Sequence, residues 1–299
     1  MQQDPKTNQI RTFSLLILLL LAIYQANAER RALLVGIGSY AIERTGWKPI
    51  HGDADVRLLS PMLILQGFSD VTCLVNEEAT KKSIVQELAS LAERCRAGDR
   101  VYFHFSGHGQ PIEDANNDEQ ADFDESMIPY DACKYPQNNY MGQNHLIDDE
   151  YNHLLHRIKQ KIGSTGQLFV AIDACYSRGM ERGEETEIED QDILLSARGT
   201  DDPFTLNEES STYLHNVPQP QNFETGGRLY VVSACLETER NFEHKTPSGK
   251  MYGSLSYYIY TLLKTDSNFE RWAQCFHEQD YRRYRIFQVS QHPSIQEYP

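Results

Sequence analysis

The sequence predicts an α/β fold, a three-layer sandwich built on a mostly parallel central sheet of about six strands. Three observations predict it. Apolar runs of strand length recur along the chain, and amphipathic helical patterns lie between them. Strand–helix–strand succession of this kind implies parallel crossovers, which place helices on both faces of the sheet.

Residues 1–28 are read apart from that fold. Lys6 and Arg11 precede an apolar stretch from Phe13 to Ile23, and Ala26-Asn27-Ala28 supplies small residues for cleavage before Glu29. This is the pattern of a secretory signal peptide, so the expected protein is exported, periplasmic or secreted. The stretch is shorter than the roughly 20 apolar residues of a permanent span, and no later run approaches that length, so no stable membrane span is expected after signal cleavage. Residues 29–299 are then expected to form one domain.

The expected strands are 31–37, 71–75, 100–105, 167–172 and 228–233, with a last one at 286–289. Ile84, Val85, Leu88, Leu91, Ala92 and Cys95 repeat at helical spacing from a cap at Thr80 to Gly98, and Leu154, Leu155, Ile158 and Ile162 do so from Asp148-Asp149 to Gly163. Residues 53–66 also read as a helix, kinked by Pro61, and residues 256–263 as another. Segments 111–143 and 178–227 follow neither period, and loops of such length in a compact domain are usually functional or mobile.

A net charge of −15 opposes nucleic acid and anionic membrane as partners and favours basic ligands, whether metal ions or Lys and Arg side chains. The six cysteines show no compact disulfide framework. Val35-Gly36-Ile37-Gly38 fits a loose dinucleotide fingerprint, but Gly46 and Pro49 follow instead of an immediate helix, which excludes it.

The chemistry sits at two strand ends. Val101–Phe105 runs into Ser106-Gly107-His108-Gly109, and Leu168–Ile172 runs into Asp173-Ala174-Cys175. The crevice beyond the carboxyl ends of a parallel sheet is where ligands bind, so His108 and Cys175 read as a base and a thiol nucleophile brought together there. The backbone N–H groups of Gly109 and Cys175 are candidates for the oxyanion formed when a thiolate attacks a carbonyl. Cys235, at the end of another strand, is the rival nucleophile but lacks the preceding Asp, and reads as core or crevice wall.

The order strand, Ser-Gly-His-Gly, acidic loop, strand, Asp-Ala-Cys resembles the caspase-like cysteine peptidases, and among them the metacaspases and their bacterial relatives. The resemblance extends from Arg31-Ala32-Leu33-Leu34-Val35-Gly36-Ile37 through Asp53-Ala54-Asp55-Val56 to Tyr252-Gly253-Ser254-Leu255-Ser256. It departs after the nucleophile, where Tyr176 stands in place of the usual His and Arg178 in place of the usual Gly. The resemblance implies a caspase-like sandwich and a cysteine endopeptidase with His108 and Cys175 as its dyad. Asp55, Ser106 and Asp173 would line the pocket for an Arg or Lys side chain, where paired charge-assisted hydrogen bonds to carboxylates suit a guanidinium. The expected partner is therefore a peptide or protein substrate with Arg or Lys before the scissile bond.

The acidic residues read in two ways, as a calcium site reached by two routes or as a solvated acidic loop with Asp148 and Asp149 capping the next helix. Asp114, Asn116, Asp118, Asp122 and Glu125 fall at places one, three, five, nine and twelve of a calcium-loop spacing, although Glu119 occupies the place that needs Gly. The resemblance implies calcium ligation by Asp124, Asp148 and Asp149, with Arg182 where a further carboxylate would stand. Arg178, Arg182 and Arg198 lie after the nucleophile, so an enzyme cutting after basic residues could process itself at Arg182 or Arg198. Alternatives are a catalytically silent member of the fold acting as a binding module, and a gingipain-like or legumain-like peptidase.

Overall fold

The computed structural model of the protein describes residues 28–113, 123–137, 140–176, 197–200, 202–206 and 223–299. Six strands form the central sheet: β1 (Arg30–Gly36), β2 (Asp70–Val75), β3 (Arg100–Ser106), β7 (Gln167–Asp173), β8 (Arg228–Ser233) and β11 (Ser294–Tyr298), in the spatial order β11-β8-β7-β3-β1-β2. All neighbours are parallel except β11, which runs antiparallel to β8. The expected last strand at 286–289 is corrected here: Ile286 is buried in the core without joining the ladder, Val289 is 97% exposed, and the strand lies eight residues later. Its Ser-Ile-Gln-Glu-Tyr sequence is half exposed, as an edge strand's is, and so carries no apolar run.

Side-chain alternation divides the core between the two faces of the sheet. Leu33, Val35, Val101, Phe103 and Val170 pack against Ile84 and Leu88 of α3 (Lys81–Arg94) and Leu155 and Ile158 of α4 (Asp148–Ile162). Ala32, Leu34, Phe169 and Val232 pack on the opposite face against Val56 and Leu59 of α2 (Gly52–Leu65), Ile259 of α5 (Ser254–Leu263) and Trp272 of α6 (Phe269–His277). A short helix, α1 (Ile42–Thr45), lies between β1 and α2.

Thr80 caps α3 by accepting the Ser83 N–H at 3.2 Å. Asp148 and Asp149 fall inside the first turn of α4, where their charge complements the helix dipole. Helix α2 runs through Pro61 to Leu65.

The described residues of segment 111–143 contribute to a second, antiparallel sheet of β4 (His108–Glu113), β5 (Phe123–Ile128) and β6 (Leu146–Ile147). Only Gly107 separates β3 from β4, so His108 opens a strand instead of lying in a loop. A hairpin of β9 (Glu243–Lys245) and β10 (Met251–Gly253) completes the set.

Candidate active site

Alternation along β3 and β7 sends Ser106 and Asp173 to the α2 and α5 face, and the register pairs them directly. Asp55 enters from the first turn of α2, and all three side chains are fully buried. A buried carboxylate needs a partner. The partner here is Arg198: its Nη1 lies 2.9 Å from Asp55 Oδ2, 2.5 Å from Ser106 Oγ and 3.8 Å from Asp173 Oδ1. Its Nη2 donates to Glu243 Oε1 at 2.8 Å. The Ser106 hydroxyl donates to Asp55 Oδ2 at 2.7 Å, and the Gly253 N–H donates to Asp55 Oδ1 at 3.0 Å. Asp173 is held by Ser256 (N–H at 2.8 Å, hydroxyl at 2.6 Å) and by the Asn241 amide at 2.7 Å.

The carboxylates govern the electrostatics. Burial pushes the Asp55 carboxyl up to about 6 against the opposing pull of Arg198. Burial would by itself favour loss of the Arg198 proton, but Asp55, Asp173 and Glu243 reverse that and hold the guanidinium firmly charged.

The backbone of the same residue is gripped as well. The Arg198 carbonyl oxygen accepts the Cys175 N–H at 2.8 Å and the Gly109 N–H at 3.2 Å. Its own N–H donates to the Asn241 carbonyl at 3.0 Å, and Ala197 bridges to Phe242. Gly199 forms parallel bridges to both Gly109 and Cys175. A Cβ at Gly199 would strike the Cys175 carbonyl oxygen and stand 2.9 Å from the Cys175 Cβ, so only glycine fits here unshifted. The Arg198–Gly199 peptide therefore lies across the cleft with its carbonyl on two amide donors and its guanidinium among three carboxylates.

Cys175 is 2% exposed and its thiol donates to the Glu239 carbonyl at 3.4 Å. His108 is stacked on Trp47, with ring centroids 4.7 Å apart, and packs against Tyr40. Its Nε2 lies 2.8 Å from the Lys48 carbonyl oxygen, so Nε2 carries the hydrogen and Nδ1 holds the free lone pair. Nδ1 is buried and has no hydrogen-bond partner among the described residues. Burial brings the imidazole down to about 4, despite the Lys48 hydrogen bond, so the ring is neutral at pH 7. The Cys175 thiol is thus turned to the Glu239 carbonyl and the His108 ring to the Lys48 carbonyl, with no hydrogen bond between the two side chains.

Cys235 touches Cys175 through a sulfur hydrogen bond, and this contact together with burial holds its thiol well above the usual cysteine range. None of the six cysteines is in a disulfide.

The sequence of residues 30–181 matches the family profile described as metacaspase, peptidase C14 domain. The chain belongs to this metacaspase family, which sets aside the gingipain-like and legumain-like alternatives. Among curated metacaspases, Metacaspase-3 of Arabidopsis thaliana is 28% identical over 255 residues, covering 79% of this chain and 60% of the relative. Metacaspase-1 of Pyricularia oryzae is 30% identical over 162 residues, covering 51% of this chain and 37% of the relative. The chain thus spans 60% or less of the length of these two metacaspases. Two solved structures share the fold: a Geobacter sulfurreducens protein (TM-score 0.61, 18% identity, 90% of this chain and 93% of that one) and caspase-1 from Spodoptera frugiperda (TM-score 0.53, 12% identity, 90% and 88%).

The calcium residues inferred from the metacaspase resemblance do not converge. Asp124 is buried on β5, Asp148 and Asp149 open α4, and among the described residues no three metal-binding side chains cluster. Glu125 and Asp148 do share a cavity of about 600 Å³ beside Tyr176 and Cys235, which Asp124 and Asp149 do not line. Two carboxylates fall short of the six to eight oxygens that calcium takes. Asp114, Asn116, Asp118, Glu119, Asp122, Arg178, Arg182 and residues 1–27 of the expected signal peptide (1–28) lie outside the described residues.

Sequence reading missed Glu243, the third carboxylate on the Arg198 guanidinium, and the Lys48 carbonyl that orients His108. Glu243 opens a three-residue strand with no apolar pattern, and a backbone carbonyl has no sequence signature.

Proposed function

We propose that this protein is a cysteine endopeptidase that cleaves after Arg or Lys, with Cys175 as nucleophile and His108 as base, and that the Arg198–Gly199 bond is its own first substrate. One observation carries the reading. Arg198 combines a carbonyl oxygen on the Gly109 and Cys175 amides with a guanidinium held by Asp55, Ser106 and Glu243. That is the posture of a residue about to give its acyl group to a nucleophile.

In the proposed reaction the Cys175 thiol turns away from Glu239, His108 Nδ1 takes its proton, and Sγ bonds to the Arg198 carbonyl carbon. Negative charge forms on the oxygen already facing two N–H donors, each worth about 3 kcal/mol in such sites. The Arg198–Gly199 C–N bond then breaks, His108 returns the proton to the Gly199 nitrogen, and water hydrolyses the acyl enzyme. The Lys48 carbonyl keeps the imidazole in the required tautomer and stabilises the imidazolium as it forms.

Calcium enters the proposal as a bound ion only, with no ligand pair assigned to it; no step depends on it, and calorimetric titration with calcium tests it. Export is likewise proposed from the signal pattern, and N-terminal sequencing of the protein recovered outside the cytoplasm tests it.

A second reading has its own observation. The thiol rests on Glu239 with a filled cleft, which suits a plugged, silent binding module. The experiment that separates the two assays small Arg, Lys, Asp and Asn amides with wild type, Cys175→Ala and Cys235→Ala. The peptidase reading expects turnover of Arg and Lys amides that is lost only in Cys175→Ala; turnover by none of the three proteins, or preference for Asp, contradicts it.

A further inference from the structure

Beyond Gly199 the described residues run beside β4, joined to it by isolated parallel bridges and backbone hydrogen bonds. The Thr200 N–H donates to the Gly109 carbonyl at 3.2 Å, the Phe204 N–H to the Pro111 carbonyl at 2.8 Å, and the Glu113 N–H to the Phe204 carbonyl at 3.1 Å. The Leu206 N–H donates to Glu113 Oε2 at 2.8 Å. Parallel bridges at Gly109↔Gly199 and Ile112↔Phe204 anchor the segment at two points, three residues apart on β4 and five apart on the docked segment, so the pairing carries a two-residue bulge. An exposed sheet edge takes an extended peptide in this way, with backbone hydrogen bonds supplying affinity and pockets for alternate side chains supplying selectivity.

The pocket here is made for one side chain. Phe204 is 1% exposed, its ring 4.6 Å from that of His145 and edge-on to Tyr140 at 5.9 Å. Gly142, at φ +90°, forms part of the wall: a Cβ there would stand 3.1 Å from the Phe204 ring and 3.2 Å from Ile112.

A buried polar chain stiffens this wall and reaches the docked strand. Gln110 Nε2 donates to the Asp202 carbonyl at 2.9 Å and the Lys134 carbonyl at 3.1 Å, which leaves its Oε1 to accept from His145 Nε2 at 3.0 Å. His145 Nδ1 then accepts the Tyr140 hydroxyl at 2.9 Å. Burial takes His145 down to about 3, so the ring is neutral, as this pattern requires. Nothing in the proposed bond cleavage uses Gln110, His145 or Tyr140.

We infer that the groove along β4 is a leaving-side binding site that takes polypeptide as an added strand and selects an aromatic side chain six residues beyond the scissile bond. Residues 199–200 and 202–206 are its resident occupant. The inference rests on the Arg198–Gly199 reading above, because that bond sets the count. A tethered occupant works at an effective concentration of the order of millimolar, so it also competes with substrates from other molecules.

The test uses the full chain as wild type and as Phe204→Ala, with three substrates. One is Ser-Ala-Arg coumarin amide, which ends at the scissile bond. The second is the quenched-fluorescence peptide Ser-Ala-Arg-Gly-Thr-Asp-Asp-Pro-Phe-Thr-Leu, and the third replaces its Phe by Ala. Full burial of a Phe side chain predicts a KM on the order of 30-fold lower for the Phe peptide than for the Ala peptide. The ratio is read in both proteins, because the resident strand competes equally with both peptides, so the result stands even if Phe204→Ala folds poorly. Where that variant folds, it also cleaves the Phe peptide at a lower apparent KM than wild type does. Equal KM values for the two peptides, with the coumarin amide still cleaved, overturn the site and leave the peptidase reading intact. Failure to cleave all three overturns both.

Discussion

Arg198 Nη1 lies 2.9 Å from Asp55 Oδ2 with both side chains excluded from solvent, although 143 positions (198 − 55) separate them in the chain. One partner leaving such a buried pair exposes the other to the full cost of an unpaired charge, typically about 3–5 kcal/mol. These buried carboxylates therefore need a cation, which Arg198 supplies here and which a substrate Arg or Lys would supply in the proposed peptidase.

Asp55→Asn tests that demand. The substitution keeps the shape and hydrogen-bonding reach of the side chain but removes the charge, so KM for Arg amides is expected to rise roughly 100-fold, in line with about 2–3 kcal/mol for a charged hydrogen bond. The preference for Arg over an uncharged Gln amide should shrink by a similar factor. Steady-state kinetics on the two amides measures both, and an unchanged preference would assign the selectivity elsewhere.

Arg198→Ala leaves Asp55, Asp173 and Glu243 facing one another without their common partner. Thermal unfolding is expected to drop by roughly 5–10 °C. Agmatine, a free guanidine that can enter the vacated space, should raise the melting temperature of Arg198→Ala but not of wild type. A thermal-shift titration reads this, and equal shifts in both proteins count against the pocket.

The acid limb of activity should belong to the pocket. Asp55 has its carboxyl raised to about 6 by burial, so it is neutral below that pH and ionised above it, and only the ionised form attracts a guanidinium. For a small Arg amide, kcat/KM should accordingly rise as pH increases through about 6. His108, lowered to about 4 by burial, is already neutral across this window and adds no step to it. In Asp55→Asn the step near pH 6 should disappear; a limb near 4 that persists in the variant would transfer it to His108.

Gly199→Val examines the fit at the cleft floor. The added side chain meets the Cys175 carbonyl and Cβ, so cleavage after Arg198 should slow by at least about tenfold, while small Arg amides lacking a following residue remain substrates. A time course by gel and a parallel amide assay separate the two effects.

Much of this architecture is legible in the sequence for identifiable reasons. Strands β1, β3, β7 and β8 are covered on both faces, which writes them as unbroken apolar runs, and α3 and α4 bury one stripe each, which writes them at helical period. Helix α6 carries a signal of the same kind: Asn268 caps it by accepting the Glu270 and Arg271 N–H groups, and Phe269, Trp272, Ala273 and Phe276 follow at one, four, five and eight places from the cap. The half-exposed β11 and the three-residue β9 carry no such period. Asp55, Ser106, Asp173, His108 and Cys175 stand out because each abuts a strand end or a helix start. Glu243 and Phe204 do not, since what makes them part of the site is contact with Arg198 in one case and with the β4 edge in the other.

Mapping the chain's own termini after incubation tests the central claim most directly. Purified wild type and Cys175→Ala are held at neutral pH and measured by intact mass and N-terminal sequencing. The account predicts a new fragment beginning at Gly199 in wild type and none in Cys175→Ala. A wild-type chain that turns over Arg amides yet stays uncut between Arg198 and Gly199, or an equal cut in both proteins, would contradict it.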